Sequence, residues 1–357
     1  MRVFLYIPFM LIIFLSNSRI VSAQEKIDSA KLSRKKPADT LYIERLDTMF
    51  HIQTWVSKHQ MNYRLSYADD FKLVVAPNKM NSLSLGISYR YLDLSYSFTP
   101  GFLNPGQKDE KKGKSDISSF RTSFSMYRFN LSLEINTVQG FYLKNSNEFP
   151  GTRGLPDTPY LLYPHLKVNN FGLMLRYNVN PKFSTAALTS GTQIQKKSAY
   201  TFLPTLQFAR FRFVDTSLKQ ELQNESTYST DINLLLPLAG TLVLSPKFAA
   251  SLSLGPTVGI DIFKSVWIDD SNKPRLSKGT GFTAGVTSQG AVSFNSGRLF
   301  AGVGGRYRSY GHKIEDVSRL TKQYFYFQVY AGWRLKAPGF AKKSLDWLNK
   351  VSPIDFD

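Results

Sequence analysis

Apolar and polar residues alternate along much of the chain. In residues 83–89, leucine, isoleucine and tyrosine at odd positions alternate with serine and glycine. In residues 92–98 the apolar positions are even. Such alternation predicts β-strands, because successive side chains of a strand point to opposite faces. The change of parity between Tyr91 and Leu92 predicts a tight turn or bulge there, which returns both apolar faces to one side of a sheet.

The pattern recurs downstream, and its polar side is rich in Ser, Gly, Asn and Arg. A soluble β-sandwich or lipocalin-like barrel would carry Lys, Glu and Thr on a water-facing outer surface. The composition therefore favours a transmembrane β-barrel with a polar interior. Tyr89, Tyr96 and Tyr177 lie near segment ends and fit an interfacial aromatic girdle. The further predicted strands include residues 130–136, 170–178, 251–261, 280–294, 299–311 and 322–335.

Connections between the predicted strands are of two kinds. Asn180-Pro181, Ser245-Pro246 and Asn295-Ser296-Gly297 suit short turns. Residues 100–117 and 144–165 are long and rich in Pro, Gly or Lys. Short turns at one end and long loops at the other are typical of outer-membrane barrels.

The number of strands is uncertain in one region. The candidates add up to an odd number, whereas a barrel with both termini in the periplasm needs an even one. Between residues 182 and 245 either one candidate is false or residues 215–231 hide another strand. We predict an all-β fold, a transmembrane antiparallel β-barrel of about 12 strands, with about 14 as the second choice.

The first residues predict a cleavable secretion signal. Arg2 supplies a positive charge, residues 3–15 form an apolar run, and Val21-Ser22-Ala23 offers a cleavage site before Gln24. The run is shorter than the roughly 20 residues that a membrane-spanning helix needs, although a helical anchor is the alternative.

Four regions follow from these patterns. We expect a signal peptide at 1–23, a polar basic periplasmic leader at 24–47, the barrel at 48–336 and a C-terminal tail at 337–357. Within the tail, residues 339–351 predict a short amphipathic helix. This helix would plug the barrel, lie at the membrane surface or fray.

The net charge of +19 favours anionic neighbours. Secretion makes nucleic acid the least expected of these, so we consider lipopolysaccharide phosphates near basic loops, or anionic small solutes in a basic lumen. The chain has no cysteine, which excludes a lipoprotein anchor, disulfides and thiolate metal sites.

Catalytic and metal sites are not predicted. A Ser–His pair needs an imidazole oriented by a third group, and only His312, with Glu315 and Asp316 nearby, suggests one. We interpret His312 as a solvated loop histidine. No metal-ligand spacing and no cofactor motif is found.

Charged residues on the polar parity are the candidates for the lumen. One hypothesis is a basic constriction that favours anionic solutes, and the other is a set of ion pairs that fills a narrow barrel. The residues are Arg90, Asp93, Arg128, Glu134, Arg176, Asp261, Arg306 and Arg308.

Three blocks resemble a known family. They are Ala76-Pro77-Asn78 with residues 83–90, Gln139–Leu143, and Asn180–Ser184 followed by Gln195–Ala199. Over residues 40–335 the chain resembles domain of unknown function 4421, regarded as outer-membrane barrels. The resemblance implies a fold and a location, and no reaction, ligand or catalytic residue. The chain departs from the usual ending, because the last predicted strand, 323–335, is followed by a tail of about 20 residues instead of closing on an aromatic residue.

These observations predict a non-enzymatic barrel in the outer membrane of a Gram-negative bacterium. A small pore or an envelope-structural barrel comes first. The alternatives are a lipid-modifying enzyme and a ligand-binding subunit of an envelope assembly. Expected partners are outer-membrane lipid, lipopolysaccharide, the barrel assembly machinery during insertion and an anionic small solute. The oligomeric state stays open.

Overall fold

A computed structural model describes residues 40–67, 72–105, 111–148, 160–188, 192–215, 226–268, 274–314 and 318–351. The predicted signal peptide, most of the predicted leader and the residues Glu315 and Asp316 lie outside this part of the chain.

The described residues form strands and one C-terminal α-helix. Short 3-10 turns lie at Gly101–Leu103, Ser146–Glu148 and Ala186–Leu188. The elements are β1 (Ile43–Arg45), β2 (Met49–Tyr67), β3 (Lys72–Ala76), β4 (Met80–Tyr89), β5 (Leu92–Phe98), β6 (Asp116–Met126), β7 (Phe129–Leu143), β8 (Leu162–Tyr177), β9 (Gln193–Gln195), β10 (Ala199–Phe202), β11 (Thr205–Asp215), β12 (Ser226–Leu235), β13 (Leu238–Ser245), β14 (Phe248–Ile268), β15 (Pro274–Asn295), β16 (Leu299–Ile314), β17 (Ser318–Lys336) and α1 (Gly339–Val351).

Twelve strands close into an antiparallel ring, which confirms the preferred strand number. The ring runs β2, β4, β5, β6, β7, β8, β11, β12, β14, β15, β16 and β17, and β17 pairs with β2. Closure leaves the ring without an open edge, so its backbone groups are paired between neighbouring strands.

Prolines explain the uncertain count between residues 182 and 245. Pro204 separates β10 from β11, and Pro237 separates β12 from β13. Proline has no backbone N–H and therefore interrupts a strand ladder. The two halves on either side of each proline look like separate strands in the sequence, and β9 lies outside the ring, in a two-stranded sheet with β1. Residues 43–45, expected within the leader, are therefore part of the folded structure.

The two ends of the barrel differ largely as predicted, except at Asn180-Pro181, which was expected to form a short turn and lies in the long connection from β8 to β10. At one end, here called the turn end, β4–β5, β6–β7 and β15–β16 are joined by two or three residues. The parity change at Tyr91 is a tight turn in which Arg90 has φ 53°, a left-handed conformation. At the opposite end, called the loop end, β5–β6, β7–β8 and β11–β12 are joined by long connections. The outer-membrane barrel pattern puts the turn end in the periplasm.

The outer wall is apolar and the interior is polar near its centre. Outward side chains on neighbouring strands form an exposed apolar belt, of the kind that faces lipid. Members of this belt include Ile52, Val56, Leu85, Ile87, Leu175, Leu206, Ile260, Phe282, Val303, Phe325 and Val329.

Toward the loop end, the interior is filled by apolar side chains. This loop-end cluster packs against Tyr63, Phe213 and Tyr324, and its most buried member, Met80, has 0% exposure. The cluster consists of Met61, Met80, Ile117, Val138, Phe141 and Val168. In the described part of the chain, no helix is long and apolar enough to span a membrane.

Candidate functional site

A cavity inside the barrel carries an excess of arginine. Arg121 of β6, Arg176 of β8 and Arg306 of β16 line a cavity of about 140 Å³, together with Asp93 of β5. The alternation of each strand brings these side chains to one interior face, because all lie on the parity opposite to the apolar belt. We call this group, with the adjoining Arg308, the arginine cavity.

The arginines differ in how they are paired. Arg121 donates from Nε and Nη2 to Oε2 of Glu134, at 3.2 and 2.8 Å. Arg306 Nη2 donates to the amide oxygen of Gln289 at 3.3 Å. The neutral partner of Arg306 satisfies a donor but does not balance a charge.

Arg308 and Arg176 have no carboxylate partner among the described residues. Arg308 Nη1 donates to Oε1 of Gln207 at 3.1 Å, and Nη2 lies 3.8 Å from the sulfur of Met174. The guanidinium of Arg176 has neither a hydrogen-bond acceptor nor an ion-pair partner in the part of the chain that the structure describes. Asp93 accepts a hydrogen bond from Oγ of Ser123 at 2.8 Å. Four guanidinium groups therefore face two carboxylates, Glu134 and Asp93.

A folded segment lies at the turn end of this cavity. Ala187 and Leu188, in the connection between β8 and β9, line the cavity wall. Residues 178–188 and 192–198 are called the turn-end segment. Phe183 of this segment packs with Leu203 and Ala239 and is 1% exposed. The cavity thus lies between the turn-end segment and the interior arginines.

Gln195 holds the turn-end segment together. Its Oε1 accepts a hydrogen bond from the Ser184 backbone N–H at 2.8 Å. Its Nε2 donates to the backbone oxygens of Tyr42, Lys182 and Lys197 at 3.2, 2.7 and 2.9 Å. One amide therefore joins the two parts of the segment to each other and to Tyr42, next to β1.

The basic block 196–198 has a structural place in the same region. The Nζ atoms of Lys182 and Lys197 lie 5.0 and 5.6 Å from the ring centroid of Tyr42. Ser198 Oγ accepts a hydrogen bond from the Val243 N–H at 3.0 Å. The sequence blocks 180–184 and 195–199 therefore build the turn-end segment, a role that their composition alone did not indicate.

A second group of charges lies in the interior, and each of its carboxylates contacts the same ammonium. Asp231 of β12 and Asp261 of β14 are direct cross-strand neighbours, each 0% exposed. Lys322 Nζ, from β17, donates to Oδ1 and Oδ2 of Asp231 at 2.8 and 2.9 Å and to Oδ2 of Asp261 at 3.1 Å. The ammonium therefore lies between two carboxylates and weakens their repulsion across the strand pair.

Neutral and aromatic groups complete this arrangement, which we call the Lys322 cluster. Ser229 Oγ accepts from Lys322 Nζ at 2.6 Å, and Tyr310 OH donates to Oδ2 of Asp231 at 2.9 Å. Nδ1 of His312 lies 3.0 Å from Oδ2 of Asp261. The ring of Phe211 is 4.5 Å from Lys322 Nζ.

The structure contradicts two interpretations of the sequence. His312 lies on β16 and is 2% exposed, so it is not a solvated loop histidine. Arg90 and Arg128 are not on the lumen wall, because they occupy the β4–β5 and β6–β7 turns. Arg90 pairs with Asp346 of α1 at 2.8 Å, and Arg128 Nη1 donates to Tyr177 OH at 3.2 Å.

Other predicted residues take varied positions, and two important ones were missed. Asp93, Arg176, Arg306 and Arg308 belong to the arginine cavity, where Glu134 pairs with Arg121, and Asp261 belongs to the Lys322 cluster. Asp231 and Lys322 were not selected, although both lie on alternating strands. Their positions on the polar side of the alternation in β12 and β17 could have identified them as interior residues.

A known protein family matches most of the chain. A family model described as domain of unknown function (DUF4421) matches residues 37–335. The chain belongs to this family. No curated protein sequence matches the chain.

Several solved structures of barrels are similar to this DUF4421 chain. The outer membrane protease OmpT from Escherichia coli is 8% identical, with 82% of this chain and 98% of that chain covered and a TM-score of 0.35. The β domain of the Bordetella autotransporter BrkA is 10% identical, with 80% and 98% covered and a TM-score of 0.33. Neisserial surface protein A is 10% identical, with 81% and 97% covered and a TM-score of 0.22.

The location follows from the architecture of the molecule itself. A closed antiparallel ring with an outward apolar belt satisfies its backbone internally while it presents apolar side chains to lipid. An even strand number with short turns and long loops is the pattern of bacterial outer-membrane barrels. This DUF4421 protein is an outer-membrane β-barrel in contact with membrane lipid.

Proposed function

We propose that this barrel binds small anionic solutes in the arginine cavity and acts as a narrow, gated pore for them. The observation that carries the proposal is the guanidinium of Arg176, which faces the cavity and lacks an acceptor among the described residues. Buried or half-buried cations normally have a partner, so an unpaired one invites an external anion.

The geometry indicates the chemistry of the solute. Guanidinium groups match planar carboxylates and phosphates, which accept paired hydrogen bonds. Arg176 and Arg306 come from strands on different sides of the ring and line the same space. A solute with one or two carboxylate or phosphate groups fits this arrangement.

The turn-end segment supports a gated pore instead of an open one. Ala187 and Leu188 lie against the cavity, and the loop-end cluster fills the interior at the other end. Passage therefore requires movement at both ends. We propose no reaction for this chain, and the assembly machinery remains an expected partner during insertion only.

An envelope-structural barrel is the second candidate. The Lys322 cluster and the loop-end cluster favour it, because both fill the interior with contacts between strands. In that case the barrel would bind no solute and conduct no ions.

Planar-bilayer recording of the purified protein separates these functions. We expect conductance steps whose reversal potential in a KCl gradient indicates anion preference. Arg176→Gln is expected to reduce that preference, while Arg298→Gln, an exposed turn arginine with the same change of charge, leaves it unchanged. The absence of steps at every voltage, or cation preference, contradicts the proposed pore.

A further inference from the structure

Helix α1 packs against the outer wall of the barrel. Leu345 is 8% exposed and contacts Tyr89, the last residue of β4, and Tyr91, in the turn that follows. Partly buried residues around them are Phe50, Leu92, Phe124, Ala337 and Ala341.

Strand parity shows on which side of the wall these contacts lie. Phe50 shares a strand face with Ile52, and Tyr89 shares one with Leu85 and Ile87. Ile52, Leu85 and Ile87 are 41%, 56% and 41% exposed and belong to the apolar belt, whereas Tyr89 is 7% exposed. Tyr89 is therefore an outward side chain covered by α1. The helix lies outside the lumen, at the turn-end edge of the apolar belt.

An ion pair fixes the rotation of the helix. Arg90 Nη2, in the left-handed β4–β5 turn, lies 2.8 Å from Oδ1 of Asp346. Since Leu345 contacts the wall and Asp346 contacts the turn, one helix orientation satisfies both.

This orientation leaves a second apolar face uncovered by the described residues. Phe340 and Trp347 are 72% and 64% exposed. Seven residues make almost two helical turns, so the two side chains lie about 20° apart around the axis. Lys343 is exposed beside them, whereas Lys342 is exposed on the far side of the helix.

We propose that α1 is an interfacial anchor, with Phe340 and Trp347 inserted into the periplasmic leaflet of the outer membrane and Lys343 at the phosphates of its phospholipids. The face continues the lipid-facing belt at the periplasmic end of the wall. Tryptophan and phenylalanine with flanking lysine are the side chains that interfacial helices use at a headgroup boundary. The proposal is independent of whether the lumen conducts solutes.

The absence of cysteine from the chain permits a direct test. Single cysteines at Phe340→Cys and Trp347→Cys would carry a nitroxide spin label in nanodiscs of phosphatidylglycerol and phosphatidylethanolamine. Lys342→Cys is the water-facing control and Leu85→Cys the lipid-facing one. A heat-dependent shift in gel mobility verifies that each variant is folded.

Collision with oxygen and with a water-soluble nickel chelate reports the surroundings of each label. We expect the labels at 340 and 347 to resemble the one at 85, with nickel accessibility at least about threefold lower than at 342. Nickel accessibility equal to that at 342 would overturn the proposal, because the face would then be in water. Dipolar broadening between labels at 347 on two copies would also overturn it, since a second barrel would then cover the face.

Discussion

The two groups of charges in the lumen differ in which sign is in excess. Carboxylates outnumber the ammonium in the Lys322 cluster, and guanidinium groups outnumber carboxylates in the arginine cavity. In the Lys322 cluster one ammonium lies between two carboxylates, with a serine, a tyrosine and a histidine completing the contacts. In the arginine cavity four guanidinium groups face two carboxylates, and Arg176 has no acceptor among the described residues.

We interpret this difference as one between a structural role and the proposed binding role. Buried charges that satisfy one another hold strands together, and the removal of one partner leaves the others in a low-dielectric interior. A cation that faces open space without a partner adds little to the stability of the fold, and it can bind an anion. The ion-pair hypothesis drawn from the sequence describes the Lys322 cluster, and the basic constriction stays a proposal for the arginine cavity.

The largest effect is expected from Lys322→Met. The substitution leaves Asp231 and Asp261 adjacent and without their ammonium partner, and loss of one partner from a buried ion cluster costs about 3–5 kcal/mol. The free energy of unfolding, from urea titration in detergent followed by gel mobility, should fall by this amount.

A compensated variant serves as the control for Lys322→Met. In the triple variant with Lys322→Met, Asp231→Asn and Asp261→Asn no net charge remains to be balanced, so most of the lost stability should return. A Lys322→Met protein as stable as the parent would show that the cluster does not hold the strands.

An intermediate effect is expected from Gln195→Ala, which removes the amide that joins the turn-end segment. The buried backbone N–H of Ser184 loses its acceptor, at a cost of about 1–3 kcal/mol for an unsatisfied group. The segment should loosen while the ring remains closed, so single-channel recording should show longer openings. Exposed Lys247→Ala is the control, and unchanged open times would contradict a gate at the turn end.

The smallest effect on stability is expected from Arg176→Gln. Because this guanidinium has no partner among the described residues, the free energy of unfolding should change by no more than about 0.5 kcal/mol. Phosphate binding, measured by calorimetry, should weaken by about tenfold, the equivalent of one charge-assisted hydrogen bond. A large loss of stability would place Arg176 with the structural charges.

Local patterns were sufficient to predict the architecture. The parity change at Tyr91 predicted the β4–β5 turn, and the apolar spacing at 339–351 predicted α1. The outward alternation predicted the belt. Each of these depends on neighbours in sequence, through the two-residue period of a strand or the 3.6-residue period of a helix.

Contacts between residues on opposite sides of the lumen could not be predicted from the sequence. Lys322 and Asp231 are 91 residues apart and lie on strands that do not pair, so only the register of the closed ring brings them together. Arg90 and Arg128 were misplaced because the parity was extended into turns. The position of α1 on the outer face of the wall could not be predicted either. The alternation places Tyr89 on the outer face but does not show that a helix covers it.

An anomalous-scattering anion tests the central claim most directly. Crystals of the protein soaked in selenate should give an anomalous difference peak within hydrogen-bond distance of the guanidinium groups of Arg176 and Arg306, and Arg176→Gln crystals should lose it. Peaks confined to surface lysines, with none in the arginine cavity, would contradict an anion-binding lumen.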